Sequence, residues 1–257
     1  MLFLSGLPVY GAVILLVILP TLAAMCGPIV VRRFFSHAHL AANNEIAGFK
    51  FATVGVIYAV LLAFAVIVVW EKFSSAEDAV VQEAGAAATL YRLVSGPEPE
   101  KAPTRAALDN YLRVTINQDW PQMAAEKESH NTTLALNTLY SAALRMIDGY
   151  PTHQSVNFEL LRQLDTITQA RRARLHLATG IVPGIVWLVL FTGAILTVGF
   201  TFFFGAKHLG AQVIMTGILS VLVFMGLLAI VSIDHPFTGP FFVGTEPLEA
   251  VLEDFSR

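Results

Sequence analysis

The chain has 257 residues, 55% of them hydrophobic and 14% charged, with a formal net charge of -3 and a mean hydropathy of +0.64. That is more apolar than a soluble domain of this length needs for its core, so the membrane class leads. The charge balance leaves no basic footprint for nucleic acid, and a single cysteine, Cys26, excludes an intrachain disulfide framework.

Four apolar runs, at residues 8–31, 46–70, 181–204 and 211–233, are each long enough to cross a hydrocarbon core, which takes about 20 helical residues. The first lacks a basic leading segment, is too long for a signal-peptide core and is followed by Arg32 and Arg33, so it reads as a retained anchor. Cys26 inside it is expected to be a small buried residue. His37 and His39 stand two apart and do not share a helical face, so they read as solvated loop histidines and no metal site is expected.

At the entrance to the second run, AANNEIAGFKF (41–51) places Asn43, Asn44, Glu45 and Lys50 beside hydrocarbon. A charge there is costly unless it faces water, headgroups or a partner. Glu45 and Lys50 are five apart and poorly placed for an ion pair along one face. They read either as headgroup residues or as the lining of a wet vestibule, with Phe49 beside them as an apolar constriction. Gly55, Ala59 and Ala63 recur every four residues, and Gly48 with Ala52 forms a neighbouring pair, a small-residue side suited to close helix packing. No breaker follows until Ser95, so one helix of about 49 residues and about 74 Å is expected to leave the bilayer.

Residues 71–180 hold 11 Lys and Arg against 13 Asp and Glu, the balance of a folded exposed unit. Leu136, Leu139, Tyr140, Ala143, Leu144 and Ile147 follow one helical face, and Leu108, Tyr111 and Leu112 begin another. Prolines predict breaks at SGPEPEKAP (95–103), DWP (119–121) and YPTH (150–153). Asn131-Thr132-Thr133 fits a glycosylation triplet, but Thr132 reads better as a helix cap. The segment FELLRQLDTITQARRARLHLA, with Leu161, Leu164 and Thr168 in register, is expected to lead unbroken into the third membrane run. Two long helices would then carry the exposed unit on the membrane part, with Glu71, Arg171, Arg172, Arg174 and Asp234 as coupling residues. Asp234 reads as a cap on the turn at Pro236 or as a contact to one of the arginines. Beyond it, TEPLEAVLEDF predicts a short amphipathic helix capped by Thr245, its apolar side formed by Leu248, Val251, Leu252 and Phe255.

The reading is therefore an all-α polytopic membrane protein. Residues 1–70 carry membrane helices one and two, 71–180 a helical extramembrane domain, 181–233 membrane helices three and four, and 234–257 a tail. No phosphate loop, dinucleotide fingerprint, HExxH or GxSxG occurs, so neither an enzyme nor a cofactor is expected. No internal repeat or interrupted helix pair suggests a carrier.

NEIAGF (44–49), GVIYAVLLAF (55–64), VWEKF (69–73), DWP (119–121), RRARL (171–175) and DHPFTG (234–239) together resemble the bestrophin-like domain family over most of the chain. The resemblance implies kinship to bestrophins, pentameric anion channels with four membrane helices per subunit and a neck lined by the second. Gly48-Phe49 matches the Gly-Phe pair that ends the bestrophin neck, which implies Phe49 as a constriction. Four and eight positions earlier stand Glu45 and Ala41, where a bestrophin presents bulky apolar side chains. A ring of glutamates would repel anions and favour cations. The acidic calcium clasp of animal bestrophins is not recognisable, Glu253-Asp254 being too little. The basic residues at membrane ends are evenly divided between the two sides, and the resemblance implies that the helical domain and both termini are cytosolic in the cell membrane. The expected function is a homo-oligomeric ion channel with lipid, inorganic ions and further copies of itself as partners. The alternative is a non-conducting membrane scaffold or signalling protein whose helical domain binds another protein.

Overall fold

The computed structural model describes residues 6–149, 154–180 and 182–255, and its regular elements there are all helical. In chain order they are α1 (Val9–Phe34), α2 (His37–Ala42), α3 (Asn44–Val94), α4 (Ala102–Val114), α5 (Trp120–Met123), α6 (His130–Gly149), α7 (Gln154–Leu177), α8 (Gly184–Phe200), α9 (Leu209–Ile233) and α10 (Glu246–Phe255). Helices α1, α3, α9 and α8, the last extended by a 3-10 turn to Phe203, are long and apolar enough to cross a membrane. The chain is a four-span, all-α membrane protein.

It divides into two compact units. One, the membrane unit, contains the residues up to Glu71, Gly180–Asp234 and Gly239–Phe241. The other, the helical unit, contains Lys72–Thr179, His235–Thr238 and the residues from Phe242 onward. The membrane unit packs around Leu16, Val17, Tyr58, Trp187, Leu190, Leu227 and Ile230, with α9 lying along α1. The helical unit packs α4 against α6 and closes over Val80, Leu90, Leu108, Leu112, Leu139, Leu160 and Leu164.

Helix α3 runs unbroken for 51 residues, as its composition predicts. Its stripe beyond the apolar span, Ala76, Val80, Glu83, Ala87, Leu90 and Val94, is buried at heptad spacing. The expected stop at Ser95 holds, and Pro103 starts α4 in its first turn, where a missing N–H costs nothing. The predicted break at DWP does not occur. Residues Thr115–Asp119 form a π-helical turn directly ahead of Pro121, and α5 continues from it. The wide turn relaxes the i→i−4 ladder where proline cannot donate. The same device precedes Pro20, where Ile14–Ile18 is π-helical within α1.

The helix leading toward the third span also differs from expectation. It ends at Leu177, and Pro183, extended at φ -58° and ψ 147°, caps a new helix at Gly184. Proline disfavours helix in the residue before it, and no continuous second lever forms. The buried face of α7 is Leu160, Leu164, Ile167 and Ala170, so Leu164 lies inward as expected, whereas Leu161 is exposed and Thr168 half-buried at the edge of that face. The predicted break at 150–153 and the first residue of the third run, Ile181, lie outside the described residues.

Three smaller corrections follow from the same packing. Thr132 lies inside α6, and its cap is Ser129, whose Oγ accepts the Thr132 N–H at 3.3 Å. Cys26 is exposed on α1 rather than buried: in hydrocarbon an apolar side chain gains nothing by turning inward, so hydropathy alone does not assign it to the core. The tail is no separate domain, since Trp120 Nε1 donates to the Val243 carbonyl at 3.1 Å and Tyr91 stacks on Phe255 at 3.7 Å. Helix α10 forms as read, with Leu248 and Val251 buried and Leu252 and Phe255 packed beside them. The Thr245 carbonyl accepts its first N–H groups.

Candidate functional site

The rotation of α3 about its axis is set by its inward stripe. Phe51 packs against Phe200 and Phe204, with ring centroids 5.9 and 5.7 Å away. Tyr58 is buried and its hydroxyl donates to the Leu190 carbonyl at 3.2 Å. The small residues that admit α3 lie on its neighbours: a methyl at Gly193 would stand 2.6 Å from Tyr58, and one at Gly226 would stand 2.7 Å from Leu62. On α3 itself, Gly48 and Gly55 face nothing within 4 Å, and Ala59 and Ala63 are exposed. The small-residue side of α3 therefore does not serve packing within the protomer.

With Phe51 turned in, residues one helical turn apart on the other side are turned out. Glu45, Phe49, Ala52, Val56, Val60 and Ala63 are all exposed, Phe49 by 79%. Only 11% of the most apolar window of α3 is buried within the chain. Lys50 is exposed too, about 140° around the axis from Glu45. Glu45 lies in the first turn of α3, where a carboxylate is favoured by the helix dipole. Ala41 does not share this face. Helix α2 ends at Ala42 and Asn43 leaves helical geometry with ψ near 4°, so the four-residue spacing from Phe49 through Glu45 stops before it.

The entrance of α3 is clamped. Asn44 accepts the Gly205 N–H at 2.8 Å and donates to the Gly205 carbonyl at 2.9 Å. Arg32 donates to the Ala206 carbonyl, and Gln212 donates to that of Phe204 at 2.6 Å. A Cβ on Gly205 would overlap the backbone of Leu40 and Ala41. The polar crowding at 43–45 is thus divided: Asn44 fastens a loop, Asn43 reaches back toward the His39 carbonyl at 3.4 Å, and Glu45 stays free to face outward. His39 contacts Ser36 at 2.7 Å, and no cluster among the described residues could hold a metal.

In the helical unit, Arg171 and Arg174 are buried with two acids. Arg174 donates to Glu83 at 2.8 and 3.3 Å and to Asp119 at 3.2 Å. Its guanidinium lies 4.5 Å from the Trp120 ring centroid. Arg171 donates to Asp119 at 3.0 and 3.3 Å. Tyr111 donates to Glu83 at 2.6 Å, and Asp119 also accepts the Ser129 N–H at 3.0 Å. Burial works against the Arg174 charge, but Glu83, Tyr111 and Asp119 together raise its pKa above the usual value. Burial first and the Glu83 charge second push the Tyr111 hydroxyl well above the ordinary tyrosine range. Two carboxylates and two guanidiniums balance, which is what burial demands.

Arg171 and Arg174 serve the interior of the helical unit, whereas Arg172 is exposed at a polar surface cavity. Asp234 accepts the Val182 N–H at 2.8 Å, and Glu71 is exposed on α3. The sequence reading misses Glu83, although a carboxylate within an Ala-and-Leu heptad stripe is a readable signal of a buried partner.

No characterised protein among the curated ones matches this chain. Solved structures do. A bacterial bestrophin homolog from Klebsiella pneumoniae superposes with a TM-score of 0.70 at 16% identity, over 93% of this chain and 96% of that one. A variant of that homolog with one tryptophan replaced by alanine gives 0.73 at 15%, over 93% and 94%. A further structure, described only as a membrane protein, gives 0.73 at 14%, over 92% and 96%. At these identities the likeness is one of fold. The Bestrophin-like domain pattern itself matches residues 18–248, and the chain belongs to the bestrophin-like domain family.

Proposed function

We propose that copies of this chain assemble around a common axis as an ion channel, pentameric as the family resemblance implies. The second membrane helix lines the conduit, Phe49 narrows it, and Glu45 with Lys50 sets the field at its mouth. The observation that carries this reading is the outward side of α3. It is apolar and small-residue-rich, yet unoccupied within the protomer from Gly48 to Ala63. Lipid covers a plain anchor helix without needing glycines, whereas neighbouring backbones approach closely at such residues. A carboxylate ring at Glu45 favours cations over anions. The helical unit and both termini lie in the cytosol in this arrangement.

Subunit counting by native mass spectrometry in mild detergent, followed by current recording in planar bilayers, tests the proposal. An oligomer of three or more copies that conducts, with Glu45→Gln shifting the reversal potential toward anions, is expected. A strict monomer has no axis, and the two α3 helices of a dimer cannot enclose a conduit, so either ends the reading. An oligomer without current leaves the scaffold alternative. Unchanged reversal potentials in Glu45→Gln remove that residue's role alone.

A further inference from the structure

Between α6 and α7 the helical unit opens a cavity of about 490 Å³, a volume in the range of small-molecule sites. On its wall Tyr140 and Thr168 are spent on one another at 3.0 Å. Thr168 already gives its proton to the Leu164 carbonyl at 2.8 Å, so Tyr140 is the donor of that pair and neither hydroxyl has a proton left. The open donors are the Asn137 amide, exposed on α6, and the guanidiniums of Arg171 and Arg172.

Arg171 is the informative one. Its side chain is only 6% exposed, and Asp119 takes up its Nε and Nη2, with Nη2 also reaching the Ser129 carbonyl at 3.4 Å. Nη1 has no acceptor among the described residues, yet it keeps accessible surface where an interior orphan would be sealed. The small open part of this otherwise buried group therefore includes a nitrogen with both N–H bonds unspent, and Arg171 lines the cavity. Asp119 does not fully quench the guanidinium, because the same carboxylate accepts Arg174 at 3.2 Å. The next residue, Arg172, brings a second, exposed guanidinium to the same cavity.

We propose that this cavity binds the oxyanion of a small solute, a carboxylate or a phosphate, with Arg171 Nη1 donating from its floor and Arg172 from its rim. Guanidinium N–H groups match such oxygens in both geometry and charge. Glu128 borders the same cavity and is exposed. Its charge opposes the ligand and holds the affinity down. The site lies wholly within the helical unit, requires no conduction and stands apart from the reading of α3.

The test titrates the purified full chain in detergent with sodium phosphate or sodium propionate at constant ionic strength, followed by isothermal calorimetry. Saturable binding of at least one is expected, and the tighter of the two identifies the source of the oxyanion. Arg172→Gln, at an exposed position, should weaken it about tenfold, the worth of a charged hydrogen bond, with the melting temperature of the ligand-free chain unchanged. Glu128→Gln should tighten it several-fold by removing the opposing charge. Arg171→Lys keeps a cation beside Asp119 but has no Nη1 to offer, and should abolish binding. Should Arg171→Lys fail to fold, Arg172→Gln and Glu128→Gln decide. No saturable binding of either probe, an unchanged affinity in Arg172→Gln, or binding that Glu128→Gln does not tighten overturns the proposal.

Discussion

Arg174 grips Glu83 at two points, Nε at 2.8 Å and Nη2 at 3.3 Å, with both side chains fully buried. A planar fork is required for this geometry, and lysine cannot reproduce it. Arg174→Met leaves two carboxylates against the single guanidinium of Arg171. Stranding a buried charge this way costs roughly 3–5 kcal/mol. Thermal melting and limited proteolysis of the helical unit should register the loss. Glu83→Gln added to Arg174→Met restores the charge balance and should recover part of it. A double variant no better than the single would show that shape, not charge, holds the cluster.

Tyr111 ties the pH dependence to the same cluster. Its folded pKa is raised from an ordinary 10.0, first by burial and then by Glu83. A raised pKa means that the folded state holds the proton more tightly. Its contribution is complete below pH 10.0 and is lost as pH rises through and beyond that value. The melting temperature of the native chain should therefore fall more steeply above pH 10.0 than that of Tyr111→Phe. At neutral pH the variant should be less stable by roughly 1.5–3 kcal/mol, the worth of a hydrogen bond to a charged acceptor. Parallel alkaline profiles would contradict the assignment.

At the entrance of α3, Asn44→Ala removes both bonds to Gly205 and should cost about 2 kcal/mol in total, read as a lower melting temperature in detergent. Gly205→Ala should be worse. The added methyl meets the backbone of Leu40 and Ala41, which cannot rotate away as a side chain can. The ranking, more than either value, checks the clamp, and a well-tolerated Gly205→Ala would remove it.

The features legible in the sequence were those carried by hydropathy and spacing. The four spans follow from run length, and α3 reaches Val94 because nothing between Phe51 and Ser95 interrupts a helix. What stayed hidden depends on partners distant in the chain. Glu83 and Arg174 are 91 residues apart and Asn44 and Gly205 are 161 apart, separations that local pattern cannot link. The break before α8 was hidden for the opposite reason: Pro183 sits within an apolar stretch, and hydropathy outweighed its backbone chemistry. At DWP a proline does not mark a break, because a π turn accommodates Pro121 without ending the helix.

Phe49 and Phe51, two residues apart, allow the pore reading to be separated from the fold. Phe49 is 79% exposed in the protomer, so Phe49→Ala should change protomer stability by no more than about 0.5 kcal/mol. Phe51 packs on Phe200 and Phe204, and its truncation removes contacts that hold the rotation of α3. If α3 lines a conduit narrowed by a Phe49 ring, Phe49→Ala should raise basal current several-fold with the assembly and its melting temperature intact. Phe51→Ala should lower the melting temperature first and change current only through the disturbed helix. Equal effects of the two variants, or an unchanged current in Phe49→Ala, would move the narrow point elsewhere along α3. Because the rings lie about 200° apart on one helix, a chain that merely anchors in lipid has no reason to treat them this differently in a current measurement.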